Sequence, residues 1–179
     1  LVTKQTTEEK VMTRFRLPIA VFAVLIGISF AFAQAKKPIT KKGLIQAVHI
    51  ATTAEELKWG PAPAALPPGA EMSVVSGDPS KAGEAFTIRA KFPDGYRVPP
   101  HWHPTDENVT VIQGTINIGM GDKFDASAAK QLPTGSFALM PKKMRHFAFA
   151  SGETIVQIHG TGPFEVMYVN PADDPRRKD

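Results

Sequence analysis

From Gly95 to Gly114 the chain reads GYRVPPHWHPTDENVTVIQG. His101 and His103 stand two apart and Glu107 four further on, so all three share parity. On an extended strand, residues separated by even steps point to one face. The two imidazoles and the carboxylate can therefore converge on one point, while Trp102 faces the other way. Two nitrogens and one anionic oxygen form a borderline-to-hard donor set suited to a divalent first-row metal. Pro99 and Pro100 stiffen the approach and remove backbone donors. Gly114 closes the run where a tight turn is wanted. A His-x-His pair alone is commonly a hydrogen-bonded strand feature, so the carboxylate and the framing glycines are what make this a ligand pattern.

The spacing of Gly95, His101, His103, Glu107 and Gly114 resembles the first conserved motif of the cupin superfamily at every fixed position. A second stretch, GSFALMPKKMRHFAFA from Gly135 to Ala150, resembles the second cupin motif. Gly135, Pro141 and His146 match it, while Lys143 stands where that family usually has Gly and Ala150 where it usually has Asn. The resemblance implies an all-β fold, the double-stranded β-helix or jelly-roll barrel, spanning residues 70–170. It also implies His146 as a fourth protein ligand beside His101, His103 and Glu107. The implied cofactor is one divalent transition metal, with Fe, Mn, Ni, Cu and Zn all open.

The sequence has 179 residues and no cysteine, which suits one domain and rules out a disulfide framework, a thiolate metal site or a cysteine nucleophile. Met12 begins a stretch that reads as a secretory signal peptide. Arg14 and Arg16 are followed by an apolar run, Leu17 to Phe30, and by the small-x-small site Ala31-Phe32-Ala33, with Ala33-Gln34-Ala35 as a second site. Residues 1–35 are thus expected to be removed, and the protein to be periplasmic or secreted without stable membrane association. Residues beyond Ala35 carry 17 Lys+Arg against 15 Asp+Glu, a balance of +2. Their scattered basic residues lack the aromatic-basic patch of a nucleic-acid binder.

Residues 36–69 are expected to be an N-terminal arm. Gln46 to Ala51 suggests a short strand, and Thr53-Ala-Glu-Glu56 matches a capping box that could open one helical turn. Trp59 to Gly69, WGPAPAALPPG, is too rich in proline for regular structure and reads as an extended segment wrapping its own barrel or a partner, which suggests a homodimer. From Ala70 onward short strands alternate with turn signals. Phe86, Ile88, Ala90 and Phe92 supply one apolar face, as do Ile116, Ile118 and Met120. Gly121 to Thr134 reads as a polar loop in which Asp122 and Asp125 are turn residues. Thr154 to His159 and Phe164 to Val169 read as two further strands, and residues 171–179 as a charged tail. His159 is expected to be a structural or pocket-facing histidine. Met120, Met140 and Met144 are candidates to line the interior.

Three imidazoles and a carboxylate around an octahedral divalent ion leave two positions for water, substrate or oxygen. The resemblance implies a small-molecule oxygenase, with Glu107 as the residue that could also shuttle a proton. Isomerisation or decarboxylation of a hydroxy- or keto-acid needs only Lewis-acid polarisation and stays open. So does a non-catalytic sensor or binding module, which the similarity to ChrR-like cupins implies, and a degenerate sugar-binding barrel. The expected partner is a small organic ligand, with no nucleic acid.

Overall fold

The computed structural model describes residues 49 to 177. In chain order the strands are β1 (Gly60–Pro61), β2 (Glu71–Ser76), β3 (Ala85–Phe92), β4 (Arg97–Trp102), β5 (Glu107–Met120), β6 (Lys130–Pro133), β7 (Phe137–Met140), β8 (His146–Thr161) and β9 (Met167–Tyr168). The only helical elements among the described residues are three short 3-10 turns. No helix there is long and apolar enough to cross a membrane.

Two long strands carry the architecture. β5 and β8 run antiparallel from Asn108↔His159 to Met120↔His146. β3 flanks the C-terminal half of β8 and β4 its N-terminal half. On the outer edge of β5, β7 and β6 divide the strand in the same way. Each long strand therefore serves two sheet segments, and a bend midway folds one segment over the other into a jelly roll.

The bend is built at Gly114. The β5–β8 register shifts on both sides of Gln113, and Gly114 takes φ +74°. A Cβ there would lie 2.3 Å from the Glu153 carbonyl oxygen, closer than any side chain tolerates. Thr154, completely buried opposite, locks the bulge: its hydroxyl accepts from the Thr115 N–H at 3.2 Å and lies 3.0 Å from the Thr115 carbonyl. The last glycine of the first motif is required by this crossing of strands.

Alternation fills the interior. Phe86, Ile88, Ala90 and Phe92 of β3, Val109, Val111, Ile116 and Ile118 of β5, and Val156 and Ile158 of β8 are all buried. Each large apolar side chain taken fully from water contributes about 1.5–3 kcal/mol. Surface ion pairs such as Lys81–Asp78 at 3.7 Å contribute far less. The core holds the barrel.

Several sequence expectations change in detail. Of the expected polar loop, Lys130–Pro133 forms β6 against Thr115–Ile118, because Leu132 is buried in the core. Asp125 caps the 3-10 turn at Ala126–Ala128, and Asp122 pairs with Arg145. The segment Thr154–His159 is the end of one 16-residue strand, and Phe164–Val169 contributes only the two residues of β9. Met120, the last residue of β5, is 53% exposed where the strand leaves the core, although Ile116 and Ile118 of the same parity are buried. Around Thr53 a turn forms instead of a helix, although the Glu56 carboxylate does accept from the Thr53 N–H at 2.7 Å. Residues 49–51 form no strand, and the remainder of that expected strand, like the signal segment, lies outside the described residues. Trp59 anchors the start of the arm, with the Lys91 ammonium 4.9 Å from its ring centre.

Candidate metal centre

Three chain segments meet at one end of the barrel. His101 is the next-to-last residue of β4, and His103 follows directly after that strand; Glu107 is the first residue of β5 and His146 the first of β8. Strand register does the positioning. His101 pairs with His146 across β4–β8, and Glu107 with Met140 across β5–β7. His101, His103, Glu107 and His146 are all buried, at 5%, 4%, 6% and 2% exposure. Trp102, of opposite parity, is only half-buried.

The ligand nitrogens of His101, His103 and His146 all lie within 4.8 Å of one another. The Glu107 Oε2 oxygen sits 3.4 Å from His103 Nε2 and 3.2 Å from His146 Nε2. Each ring is clamped from behind by a backbone carbonyl. His101 Nδ1 donates to Pro99 at 2.7 Å, His103 Nδ1 to Glu165 at 2.7 Å, and His146 Nδ1 to Met144 at 3.1 Å. A carbonyl can only accept, so the proton of each neutral imidazole sits on Nδ1 and the lone pair on Nε2. Backbone partners of this kind fix tautomer and ring orientation in metal-bound histidines.

Two polar atoms at the centre have no hydrogen-bond partner, His103 Nε2 and Glu107 Oε2. Buried polar atoms without partners are uncommon and call for an explanation. A cation between the rings and the carboxylate supplies one, so the residues present fit a metal ion.

The electrostatics agree with the geometry. Burial, reinforced by His146 and His103 nearby, pushes His101 down to about 3, so its imidazole is neutral at physiological pH. For His103, burial opposes the charged form, but the Glu107 carboxylate more than offsets this and raises it. Burial likewise works against the Glu107 carboxylate, yet His103 and His146 hold it below the ordinary carboxylate range. Glu107 is thereby held as a carboxylate at the centre.

Above the cluster is a cavity of about 350 Å³. Ala148 and Met140 line it beside the clustered side chains, whereas Met120 and Met144 are 53% and 40% exposed and do not. His159 lies on the opposite face of β8, exposed, its carbonyl accepting from Asn108 Nδ2 at 3.1 Å. Neither expectation for it, structural partner or pocket residue, describes its side chain.

Several participants are absent from the sequence reading. Phe164 stacks on His103 at 4.4 Å and 16°, holding the ring edge-on to the centre. From the segment expected to be a tail, Arg176 reaches the cavity rim, its guanidinium bound to Asp174 and to the Val166 carbonyl at 3.0 Å. Pro63, Ala65 and Leu66 of the arm also line the cavity. The apolar Leu66 amid prolines was the one signal in the sequence that could have marked this role.

Residues 53–178 match the family model described as Domain of unknown function (DUF4437). Germin-like protein 9-1 of Oryza sativa subsp. japonica is 31% identical over 99 residues, covering 45% of this chain and 40% of that protein. The chain spans less than half the length of the curated relatives it matches. Among solved structures, the polyketide cyclase RemF from Streptomyces resistomycificus superposes with a TM-score of 0.56 at 14% identity, covering 72% of this chain and 90% of that one. A candidate acetylacetone dioxygenase from Methylibium petroleiphilum PM1 gives 0.56 at 17% identity, covering 73% and 87%. At these identities the likeness is one of fold, and the fold is the cupin barrel.

Proposed function

The chain belongs to the DUF4437 family, and on that footing we propose that it is a metal-dependent cupin acting on a small organic molecule. His101, His103, Glu107 and His146 would hold one divalent transition metal. The observation that carries the reading is the triple clamp: three buried imidazoles, each tied through Nδ1 to a backbone carbonyl, present Nε2 beside a buried carboxylate.

When bound, such an ion supplies Lewis-acid polarisation or, if redox-active, a place for oxygen chemistry. The chain's own residues do the rest. The apolar wall excludes water, Phe164 and the carbonyls hold the rings, and Glu107 is the one carboxylate placed to hold or move a proton at the centre. An oxygenase is the first reading to test, since four protein ligands leave two octahedral positions for small molecules. Fold likeness to the candidate acetylacetone dioxygenase adds a reason to begin there.

The test is elemental analysis of untagged protein purified without added metal, beside a His101→Ala/Glu107→Ala control. Near-stoichiometric iron, copper, manganese or nickel that disappears in the control supports the reading and directs oxygen-uptake screening. Zinc directs the search to isomerisation or decarboxylation. Wild-type protein that takes up no metal even after reconstitution overturns it.

Export through Met12–Ala35 and a homodimer belong to the same proposal, supported by the Arg pair, apolar run and alanine-rich end of that segment and by the proline-rich arm. N-terminal sequencing of a periplasmic fraction and light scattering check them.

A further inference from the structure

We infer that the cavity takes a small molecule with one oxygen-donor head and an otherwise apolar body, such as a hydroxy acid with an alkyl or aryl chain, and rejects sugars and polyols. The head of this ligand rests on the metal reading above; the body rests on the wall alone.

The distribution of polarity carries the inference. Polar side chains lining the cavity fall at two places only. One is the His101, His103, Glu107 and His146 cluster; the other is the rim, with Glu165 and Arg176. Everything between them is apolar, including Ile88, Val109, Ile118, Val156 and Ile158. The strands that carry most of this wall have their backbone groups paired in the β3–β8 and β5–β8 ladders, so that part of the wall offers few spare donors or acceptors. A hydroxyl-bearing body would shed water here without replacement partners.

The rim does not restore polarity. Arg176 Nε and Nη2 are engaged by Asp174 at 2.8 and 2.9 Å, so its charge is matched within the protein. Glu165 beside it disfavours a second anionic group. The cavity volume of about 350 Å³ is at the low end for small-molecule sites, which sets the body at a few carbons or a single ring.

The matched probes are 2-hydroxyhexanoate and gluconate, which share the same carboxylate and 2-hydroxyl head on six carbons and differ only in the hydroxyls of the body. Calorimetric titration of the full chain, with its metal content measured in the same sample, is expected to show 2-hydroxyhexanoate at least about a hundredfold tighter. Equal or tighter binding of gluconate overturns the inference, as does no measurable binding of either at millimolar concentration. The same pair is then titrated into protein stripped of metal. If the chain never holds a metal but the alkyl preference persists, the metal reading fails and the inference about the body stands. If metal is bound and gluconate wins, only this inference fails. Ala148→Leu, which fills the space beside His146, is expected to abolish 2-hydroxyhexanoate binding while metal content and melting temperature hold. Unchanged affinity in that variant places the ligand elsewhere and overturns the inference.

Discussion

Glu107 and Lys143 show what single positions contribute. Glu107 is the only carboxylate among the clustered side chains, and its Oε2 has no hydrogen-bond partner. Glu107→Gln keeps the size and removes the charge, so a cation at the centre loses its counter-charge. Metal affinity is expected to fall by at least about ten- to a hundredfold, read as metal retained after dialysis against a graded chelator; full retention would take Glu107 out of the ligand set. Lys143 occupies the position where the second motif usually has Gly, and it is the one described non-glycine residue with positive φ, at 65°. Its N–H donates to the His103 carbonyl at 2.8 Å, so the strained turn braces a clustered histidine. A left-handed conformation costs a side-chain-bearing residue about 1–2 kcal/mol, while Gly loses part of that gain to chain entropy. Lys143→Gly is therefore expected to stabilise by roughly 0.5–1 kcal/mol in urea unfolding. A loss of stability would mean the lysine side chain holds the turn in some other way.

At the scale of elements, the first motif was legible because parity on a strand is a local rule. For His101 and His103 the shared parity is local, but the single strand expected to carry all three is broken. Residues 103–106 leave the sheet and Glu107 opens β5, so register against β7, not parity, brings the carboxylate to the rings. What parity could not supply is where alternation breaks. Ile116 and Ile118 follow the expected inward face, but Met120 ends exposed, and Asn117 is buried with its amide donating to the Phe149 carbonyl at 3.2 Å. At Gly114 the inward face passes from Val109 and Val111 to Ile116 and Ile118, and the packing of that glycine depends on Glu153 and Thr154, residues some forty positions away. Met120 is exposed as the last residue of β5. β6 was hidden for a related reason, since only its pairing with β5 makes a strand of four residues with one buried leucine. Gly114→Ala tests the element directly. The added methyl meets the Glu153 carbonyl at 2.3 Å in a backbone conformation that alanine resists, which is expected to cost about 2–4 kcal/mol. Chemical denaturation of the purified variant would show it, and a loss under about 1 kcal/mol would mean that the bulge can shift to the neighbouring residue.

Across the described molecule, the arm and the tail matter because they finish a cavity that the strands leave open. That the arm wraps a barrel was legible in its prolines, but which residues reach the cavity was not, since prolines give no periodicity, and the tail has no apolar pattern to mark its part. Two tyrosines provide the attachment. Tyr96 OH donates to the Pro67 carbonyl at 2.5 Å and Tyr168 OH to the Ala65 carbonyl at 2.8 Å, placing Leu66 between two fixed points against the core. Tyr96 also stacks on Phe92 at 5.0 Å, and Tyr168 lies 6.2 Å from His101, so the rings that hold the arm belong to the barrel and to the neighbourhood of the site. Each hydrogen bond contributes about 1 kcal/mol net, and removal leaves a carbonyl that water can reach only if the arm lifts. Tyr96→Phe/Tyr168→Phe is therefore expected to cost about 2 kcal/mol in local opening of the arm. Hydrogen exchange in Ala62 to Ala70 should rise about thirtyfold while β3 and β8 exchange as before. If both regions accelerate together, the arm is part of the barrel's cooperative unit and the tyrosines stabilise the fold as a whole. If neither changes, Leu66 packing alone holds the arm, and the cavity wall it completes does not depend on the two hydroxyls.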